Sequence, residues 1–475
     1  MGALVTASVS RRAVAPRVDG VDFSAVRAEF DLPTGYPPDA VPVADSRPTR
    51  RDATDLEFVT IDPPGSMDLD QALVVHRTDA GFRLYYAIAD VGAVVAPGSV
   101  LDEEVRRRGQ TVYLPDDSVP LHPRQMSEDA SSLLPDRVRP AALWTIDTDP
   151  AGTATSWHVE PATVRSRQRF TYAEVQSAVD YGTVHPSLTA LQDLGRARRA
   201  LAVARGAIEL ALPEQEVVAD GSDRGGWRLE IAPRTEADAW NAEMSLLTGM
   251  CAAAIMLEAR VGILRTLPPP GASDVEALRA VVRALGLQWP TGASPGQVLA
   301  GLDPAAPTTL AVMTEATTLL RGAAYVAFDG ETPEEPDHSG IGGPYAHVTA
   351  PLRRRVDRYA TEVCLAHCAG TAVPDWVLAE FAELPDAMRR SDSLASKVDR
   401  ACIDLVEARV LADRVGDTVS AVVLRGRTDK RPAEVFVPEY TVVGRCSGDP
   451  AEGTTVTVRV GPVDVATRRV EFSVG

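Results

Sequence analysis

The 475-residue chain has no run approaching the roughly eighteen consecutive apolar residues of a membrane span. Its N-terminal stretch, MGALVTASVSRRAVAPRVDG, has no long apolar segment after its charges, so no secretory signal is expected. Cysteine is scarce: Cys251, Cys364, Cys368, Cys402 and Cys446 are five in number and irregular in spacing. That argues against a paired disulfide framework and fits a reducing cytoplasm. Cys364 and Cys368 flank His367, a spacing open to zinc. The segment around them reads as an apolar helix, however, so core thiols are the better reading. Basic charge is also in deficit, with 48 Lys and Arg against 66 Asp and Glu, a net charge of −18. This excludes a protein coated in positive surface for loose nucleic-acid binding. It leaves room for a basic channel inside an acidic shell. Arginine is indeed clustered at 106–108, 165–169, 353–358 and 425–431, although each cluster alone reads equally well as a solvated face. No internal repeat is evident.

Apolar residues make up 45 % of the chain, enough for one large domain and one or two small ones. Residues 1–50 form a Pro-rich arm, broken by Pro33, Pro37, Pro38, Pro42 and Pro48, with one short helix near Asp22–Phe30. From Leu56 the pattern is strand-like. QALVVHRT and FRLYYAIADVG flank the turn Asp79-Ala80-Gly81, and LWTIDTD and SWHVEPATVRSR flank Pro150-Ala151-Gly152, as two hairpins. Helical periodicity follows in LTALQDLGRARRALAVARGAI, TEADAWNAEMSLLTGMCAAAIMLEARVG, VEALRAVVRALG, PLRRRVDRYATEVCLAHCAG and SDSLASKVDRACIDLVEARVLADRVG, the last ending at Gly416 as a C-cap. After it come five short strands at the spacing of an OB-type barrel. The expectation is an α+β protein: an arm (1–50), a large domain of mixed sheet and helices (51–414) and a small barrel (415–475).

The segment FVTIDPPGSMDLDQAL holds the most chemistry. Asp62 ends a strand, Pro63-Pro64-Gly65 turns the chain, and Asp68 and Asp70 project to one side of an extended stretch. Three converging carboxylates repel one another unless a cation neutralises them, and magnesium with its oxygen ligands suits phosphate chemistry. The bland alternative is a loop decorated with acids.

Thr60-Ile61-Asp62 and Asp68-Leu69-Asp70 resemble the central motif of the ribonuclease II (RNB) family, T-I-D followed by D-x-D-D. In order downstream, AIADVGAVVAPGSVLDEEVRRRGQTVYLP resembles its A-I-A-D and Y-L-P stretches, and LHPRQMSEDASSLLPDRVRPAAL its next block. HSGIGGPYAHVTAPLRRRVD resembles its H-x-G-L…Y-x-H-F-T-S-P-I-R-R-Y-x-D signature at His338, Tyr345, His347, Thr349, Pro351, Arg353, Arg354 and Asp357. Several motifs in one order, from about Leu56 to the C-terminus, are more specific than one loop.

The resemblance implies an RNB catalytic domain followed by an OB-type RNA-binding barrel. It implies an exoribonuclease that removes nucleoside 5′-monophosphates from single-stranded 3′ ends of RNA, with Mg2+, or Mn2+, as cofactor. It places metal at Asp62, Asp68, Asp70 and Gln71, with Asp68, Asp70 and Arg353 catalytic. Tyr113 would stack on a nucleotide and Arg353 would neutralise phosphate charge. Glu243, in a helix resembling an E-x-M segment, would clamp the last ribose or base. His347, Arg354 and Asp399 complete the RNA-binding set in the large domain, and Arg425, Arg427, Lys430 and Phe436 form it on the barrel. A cytoplasmic monomer is expected.

Three departures from the family pattern stand out. Gln71 occupies the position of the fourth aspartate. The signature's Phe, Ser and Tyr are Val348, Ala350 and Arg355. Asp399 stands where a glutamate is expected. The arm is also too short for the two cold-shock-type barrels that commonly precede the domain. Two competing readings follow: a catalytically weakened RNB protein that works as an RNA-binding module, and a hydrolase of another phosphodiester.

Overall fold

The computed structural model describes all residues except 1–12, 48, 211, 213–214, 220–225, 232–234, 304–305, 430 and 475. Pro48 and Lys430 therefore lie outside the described residues.

A six-stranded mixed sheet organises the large domain, in the order Arg51–Asp52, Ala154–Phe170, Phe58–Ile61, Gln71–Thr78, Gly81–Ala89 and Val138–Thr148. Val138–Thr148 also pairs with Ala154–Phe170, so the long last strand joins both ends of that order. Val-, Ile- and Tyr-rich alternation builds these strands because branched and aromatic side chains fit a pleated surface. The first hairpin closes with Thr78 opposite Gly81 across Asp79-Ala80. Gly81 lies where a Cβ would be 2.2 Å from the Thr148 carbonyl oxygen, so the neighbouring strand requires glycine there.

One face of the sheet buries Tyr86, Trp144 and Ile146 against the helices Glu236–Ala259 and Arg355–Cys368. The first of these is 24 residues long, starts from a Thr235–Asp238 capping box, and is apolar enough by length and composition to cross a membrane. Here it is the central core helix, with Trp240, Met244, Leu247, Ala252 and Met256 buried. At Gly249 a Cβ would meet the Tyr345 ring at 2.2 Å, so glycine lets this aromatic lie against the helix. The other face of the sheet packs Leu69, Val74, Leu143 and Val164.

Three helix boundaries differ from the periodicity. The helix expected to include Pro351–Arg354 begins at Arg355, because Asp357 Oδ1 accepts the Ala350 N–H and holds a turn ahead of it. The long C-terminal helix spans Leu384–Leu411 and continues as a tight turn through Arg414. Gly416, at φ 95°, is no C-cap of that helix; its N–H bonds to Val460 O and starts the barrel. After Ala259 the chain forms an additional strand, Val261–Thr266, paired with Ala324–Asp329.

The barrel is closed, with five strands at Thr418–Arg425, Ala433–Val437, Val442–Ser447, Thr455–Asp464 and Arg469–Val474. Val435, Val458, Val460 and Phe472 share a core with Val398, Val406 and Leu411 of the long helix, which joins the barrel to the large domain. The arm has its short helix at Ser24–Glu29. It is clamped by Arg47, which pairs with Asp90 at 3.0 Å and Glu362 at 2.5 Å, and by Arg50, which reaches Asp90 at 2.8 Å. All five cysteines are free thiols and four are buried, as core residues are.

Candidate active site

The strand Phe58–Ile61 delivers Asp62, whose backbone N–H bonds to Phe170 O at 3.0 Å. Asp62 Oδ2 is buried and has no hydrogen-bond partner. Burial and the Asp68 charge push the Asp62 carboxyl up to about 6. A hydrogen-bond relay fixes the loop that follows. Ser132 Oγ donates to Met67 O at 2.6 Å and accepts the Leu69 N–H at 3.0 Å, while Leu133 N–H bonds to Leu69 O. With Leu69 buried at 0 % exposure, its neighbours Asp68 and Asp70 project the other way.

Asp68 accepts the Ser66 hydroxyl at 3.1 Å on Oδ1 and the Tyr113 hydroxyl at 3.0 Å on Oδ2. Asp70 is 4 % exposed; its Oδ1 accepts the Leu352 N–H at 2.7 Å and its Oδ2 lies 3.6 Å from Arg353 Nε. Burial holds this carboxyl well above the usual range, against the pull of Arg353. Arg353 belongs to the turn before the Arg355–Cys368 helix, and its side chain is 43 % exposed. Thr111 N–H bonds to Arg353 O at 3.0 Å, which brings the short hairpin with Tyr113 beside this turn. The Tyr113 ring is half exposed, while burial and Asp68 raise the pKa of its hydroxyl and keep the proton in place.

Asp62, Asp68, Asp70, Arg353 and Tyr113 thus form one polar centre. Among the described residues, no three His, Cys, Asp or Glu groups form a ready-made ligand cluster. The aspartates are near enough to perturb one another, and an orphaned buried oxygen on Asp62 suits a cation.

The other expected site residues fall elsewhere. Gln71 has both polar ends engaged: Nε2 donates to Thr349 O, and Oε1 accepts from Tyr86 and Ser245. This differs from the expected metal ligand: the amide nitrogen is tied to the Thr349 carbonyl and the amide oxygen already holds the Tyr86 hydroxyl. Glu243 is buried beside Arg198 at 3.7 Å rather than at the aspartates; burial pushes its carboxyl up while Arg198 and Arg205 pull it down. The helix face toward the site instead presents Ser245, bonded to Gln71, and Asn241, which interacts with Tyr172 beside Asp62. Asn241 and Ser245 are four apart and share a face, whereas Glu243, two from each, points away. That spacing was the available signal.

His347 is half-buried, with Nδ1 2.8 Å from the Tyr325 hydroxyl and its ring edge-on to Tyr345. Burial, with Arg354 and Arg265 nearby, holds it neutral. Arg354 forks onto Asp357 at 2.9 and 2.8 Å. Asp399 is exposed on the long helix, on the side where Cys402 senses it together with Asp116. Two turns earlier on that helix, Asp392 lies 3.4 Å from Arg265 and feels the charge of Arg354.

On the barrel, Arg425 is not a free RNA contact. It bonds to Thr314 O at 2.6 Å and lies 3.6 Å from both Glu315 and Glu434. Phe436 is 7 % exposed and packs with Ile231, Leu310 and Leu424, so it is a core residue where the barrel meets the body. Arg427 is exposed.

Comparison with known proteins finds two matching families along the chain. Residues 50–367 match the RNB domain, and residues 417–475 match the RNase II-type exonuclease C-terminal S1 domain. The chain belongs to the RNB domain family. It is 27 % identical over 422 residues to exosome complex exonuclease RRP44 homolog A of Arabidopsis thaliana, covering 84 % of this chain and 44 % of that protein. It is 27 % identical over 397 residues to ribonuclease R of Escherichia coli, covering 79 % and 48 %. The chain therefore spans about half the length of these curated relatives. Among solved structures, apo RNase R of Mycoplasma genitalium shares the fold with a TM-score of 0.84 at 21 % identity, over 95 % of this chain and 77 % of that one. Yeast Ssd1, described as a pseudonuclease, shares it at 0.72 and 16 % identity, over 94 % and 57 %.

Proposed function

We propose that the chain is a metal-dependent hydrolytic 3′-to-5′ exoribonuclease. It acts on single-stranded 3′ ends of RNA as a cytoplasmic monomer and releases nucleoside 5′-monophosphates. The observation that supports this reading best is the grouping of Asp62, Asp68, Asp70, Arg353 and Tyr113, with a buried Asp62 oxygen lacking any partner.

Asp62, Asp68 and Asp70 would hold Mg2+, or Mn2+. Such an ion supplies charge for the phosphate and a nucleophilic water at neutral pH. Arg353 stabilises the negative charge that grows on the phosphoryl oxygens. The half-exposed Tyr113 ring offers a stacking face that accepts any base. Its hydroxyl, tied to Asp68, couples the stacked nucleotide to the carboxylates. Water adds to phosphorus, the P–O3′ bond breaks, and the shortened strand keeps the 3′-hydroxyl.

Digestion of a 5′-labelled single-stranded RNA with Mg2+ and then Mn2+, comparing wild type with Asp70→Asn, tests this. A ladder shrinking from the 3′ end and lost in the variant is expected. The second reading, an RNA-binding module, is favoured by the engaged Gln71 amide and the lack of a ready-made carboxylate cluster among the described residues. RNA that shifts in a gel but never shortens in either metal would establish it instead.

A further inference from the structure

Gln71 directly follows Asp70 at the start of the Gln71–Thr78 strand, and alternation sends the two side chains to opposite sides of the backbone. Both take hold of the same turn. Asp70 Oδ1 accepts the Leu352 N–H at 2.7 Å, and Gln71 Nε2 donates to the Thr349 carbonyl at 2.7 Å. The far side of the Gln71 amide is anchored in two further elements. Its Oε1 accepts the Tyr86 hydroxyl at 2.5 Å, from the Gly81–Ala89 strand, and the Ser245 hydroxyl at 3.3 Å, from the central helix. Those two hydroxyls are themselves 2.8 Å apart. Each hydroxyl has one proton, so with Tyr86 donating to the amide, Ser245 serves either the amide oxygen or the nearer Tyr86 oxygen; in both cases the amide ties the turn to the strand, with the helix hydroxyl closing the group.

The turn it grips has Arg353 at its end. The Arg353 N–H closes onto Ala350 O at 3.2 Å, and the Ala350 N–H is held by Asp357 at 2.7 Å. Fixed at Thr349 by Gln71 and at Leu352 by Asp70, the turn has little freedom to carry the guanidinium away from Asp70.

We infer that Gln71 is a positioning residue for Arg353 and not a ligand of the metal. The inference rests on the exoribonuclease reading for its catalytic consequence. A carboxylate could not do this work: Asp or Glu at position 71 has no N–H for the Thr349 carbonyl and sets a negative charge against it. The departure from D-x-D-D exchanges a charged oxygen for a donor, and the three aspartates remain as the metal-binding set.

The test compares full-length wild type with Gln71→Glu, which keeps length but removes the donor. Three quantities are read: kcat and KM on a 5′-labelled single-stranded RNA, Mn2+ affinity of the RNA-free protein by titration, and amide exchange across residues 349–353. Expected are a fall in kcat of about 10- to 100-fold with KM within about threefold, because a small misplacement of a catalytic group has that cost. Exchange in the turn rises about tenfold or more beyond any rise shared by the rest of the protein. Mn2+ affinity holds within about twofold, since one first-shell carboxylate added to a true ligand position changes it far more. Mn2+ binding tightened about tenfold with kcat retained would make Gln71 a ligand and overturn the inference; so would unchanged exchange at 349–353. Gln71→Met, neutral and of similar length, is read the same way should the glutamate variant fail to fold. If wild type shortens no RNA in either metal, the exoribonuclease reading fails alone. The exchange and Mn2+ measurements then still decide what Gln71 does.

Discussion

Tyr113 donates its hydroxyl to Asp68 Oδ2 at 3.0 Å, from a two-stranded hairpin that is separate from the sheet bearing the aspartates. The ring stays half exposed above this bond. One residue thus offers its face to the proposed nucleotide and its hydroxyl to a carboxylate of the proposed metal site. The two roles can be separated by substitution. Tyr113→Phe keeps the face, so KM should change by less than about threefold. Tyr113→Ala should raise KM by about 10- to 100-fold, in line with about 1–3 kcal/mol for a stacked base. Equal KM values for the two variants in steady-state digestion would remove the stacking role.

Asp62 predicts a trade of stability against function. Its carboxyl sits at about 6 rather than 3.8, mainly through burial and then through Asp68. Between those values the folded protein holds the proton more tightly than the unfolded chain. The favourable contribution is therefore complete below about pH 4 and lost as pH rises through about 6. At pH 7 Asp62→Asn should stabilise the metal-free protein by about 1–3 kcal/mol, with little effect at pH 4. Urea melts at the two pH values check this, and a destabilised variant at pH 7 would contradict it.

On the proposed function, the same proton competes with the cation. Asp62 is raised to about 6, and Asp70 well above the ordinary range. Mn2+ affinity should fall by about tenfold or more for each unit of pH below 6, because ligation must displace protons. Titrations at pH 5 and pH 7 that give equal affinities would count against the aspartate loop as the metal site.

Phe436 and Arg427 should behave oppositely, although both lie on the barrel. Phe436→Ala empties a buried position against Leu310 and should cost about 3–5 kcal/mol of stability. Arg427→Ala should leave stability alone and flatten the slope of log K for RNA against log salt by about 0.7, one phosphate contact. Melting curves and binding at several salt concentrations distinguish them; a Phe436→Ala variant that melts normally but binds poorly would restore the contact role.

The arm should be costly to detach. Arg47 bridges Asp90 and Glu362, whose side chains are 1 % and 5 % exposed. Arg47→Ala should therefore cost about 3–5 kcal/mol, because it strands buried charge. Arg389→Ala, which breaks an exposed pair with Asp386, should cost less than about 0.5 kcal/mol in the same denaturant melt.

These contrasts show how far the chain could be read directly. The Asp62–Asp70 loop was legible because its acids are near neighbours in sequence and local alternation sets their directions. The barrel was legible because its five strands follow one another with clear turns. Glu243 was misplaced because helical phase, rather than a motif letter, decides which side faces the strand, and Asn241 and Ser245 have the right phase. Arg425 and Phe436 were misread because strand alternation separates two faces without saying which outer face meets another domain. Gln71 looked like a substituted ligand until its partners, 15, 174 and 278 residues away, were in view.

The clamp at Arg47 also sets an order on assembly. Its carboxylate partner Glu362 lies 315 residues further along the chain. During synthesis at roughly 5–20 residues per second, the arm emerges many seconds before that partner exists. Until then, of the two carboxylates that hold Arg47 in the folded protein, only Asp90 has been made. The contact that ties the arm to the Arg355–Cys368 helix therefore cannot form until that helix has been made.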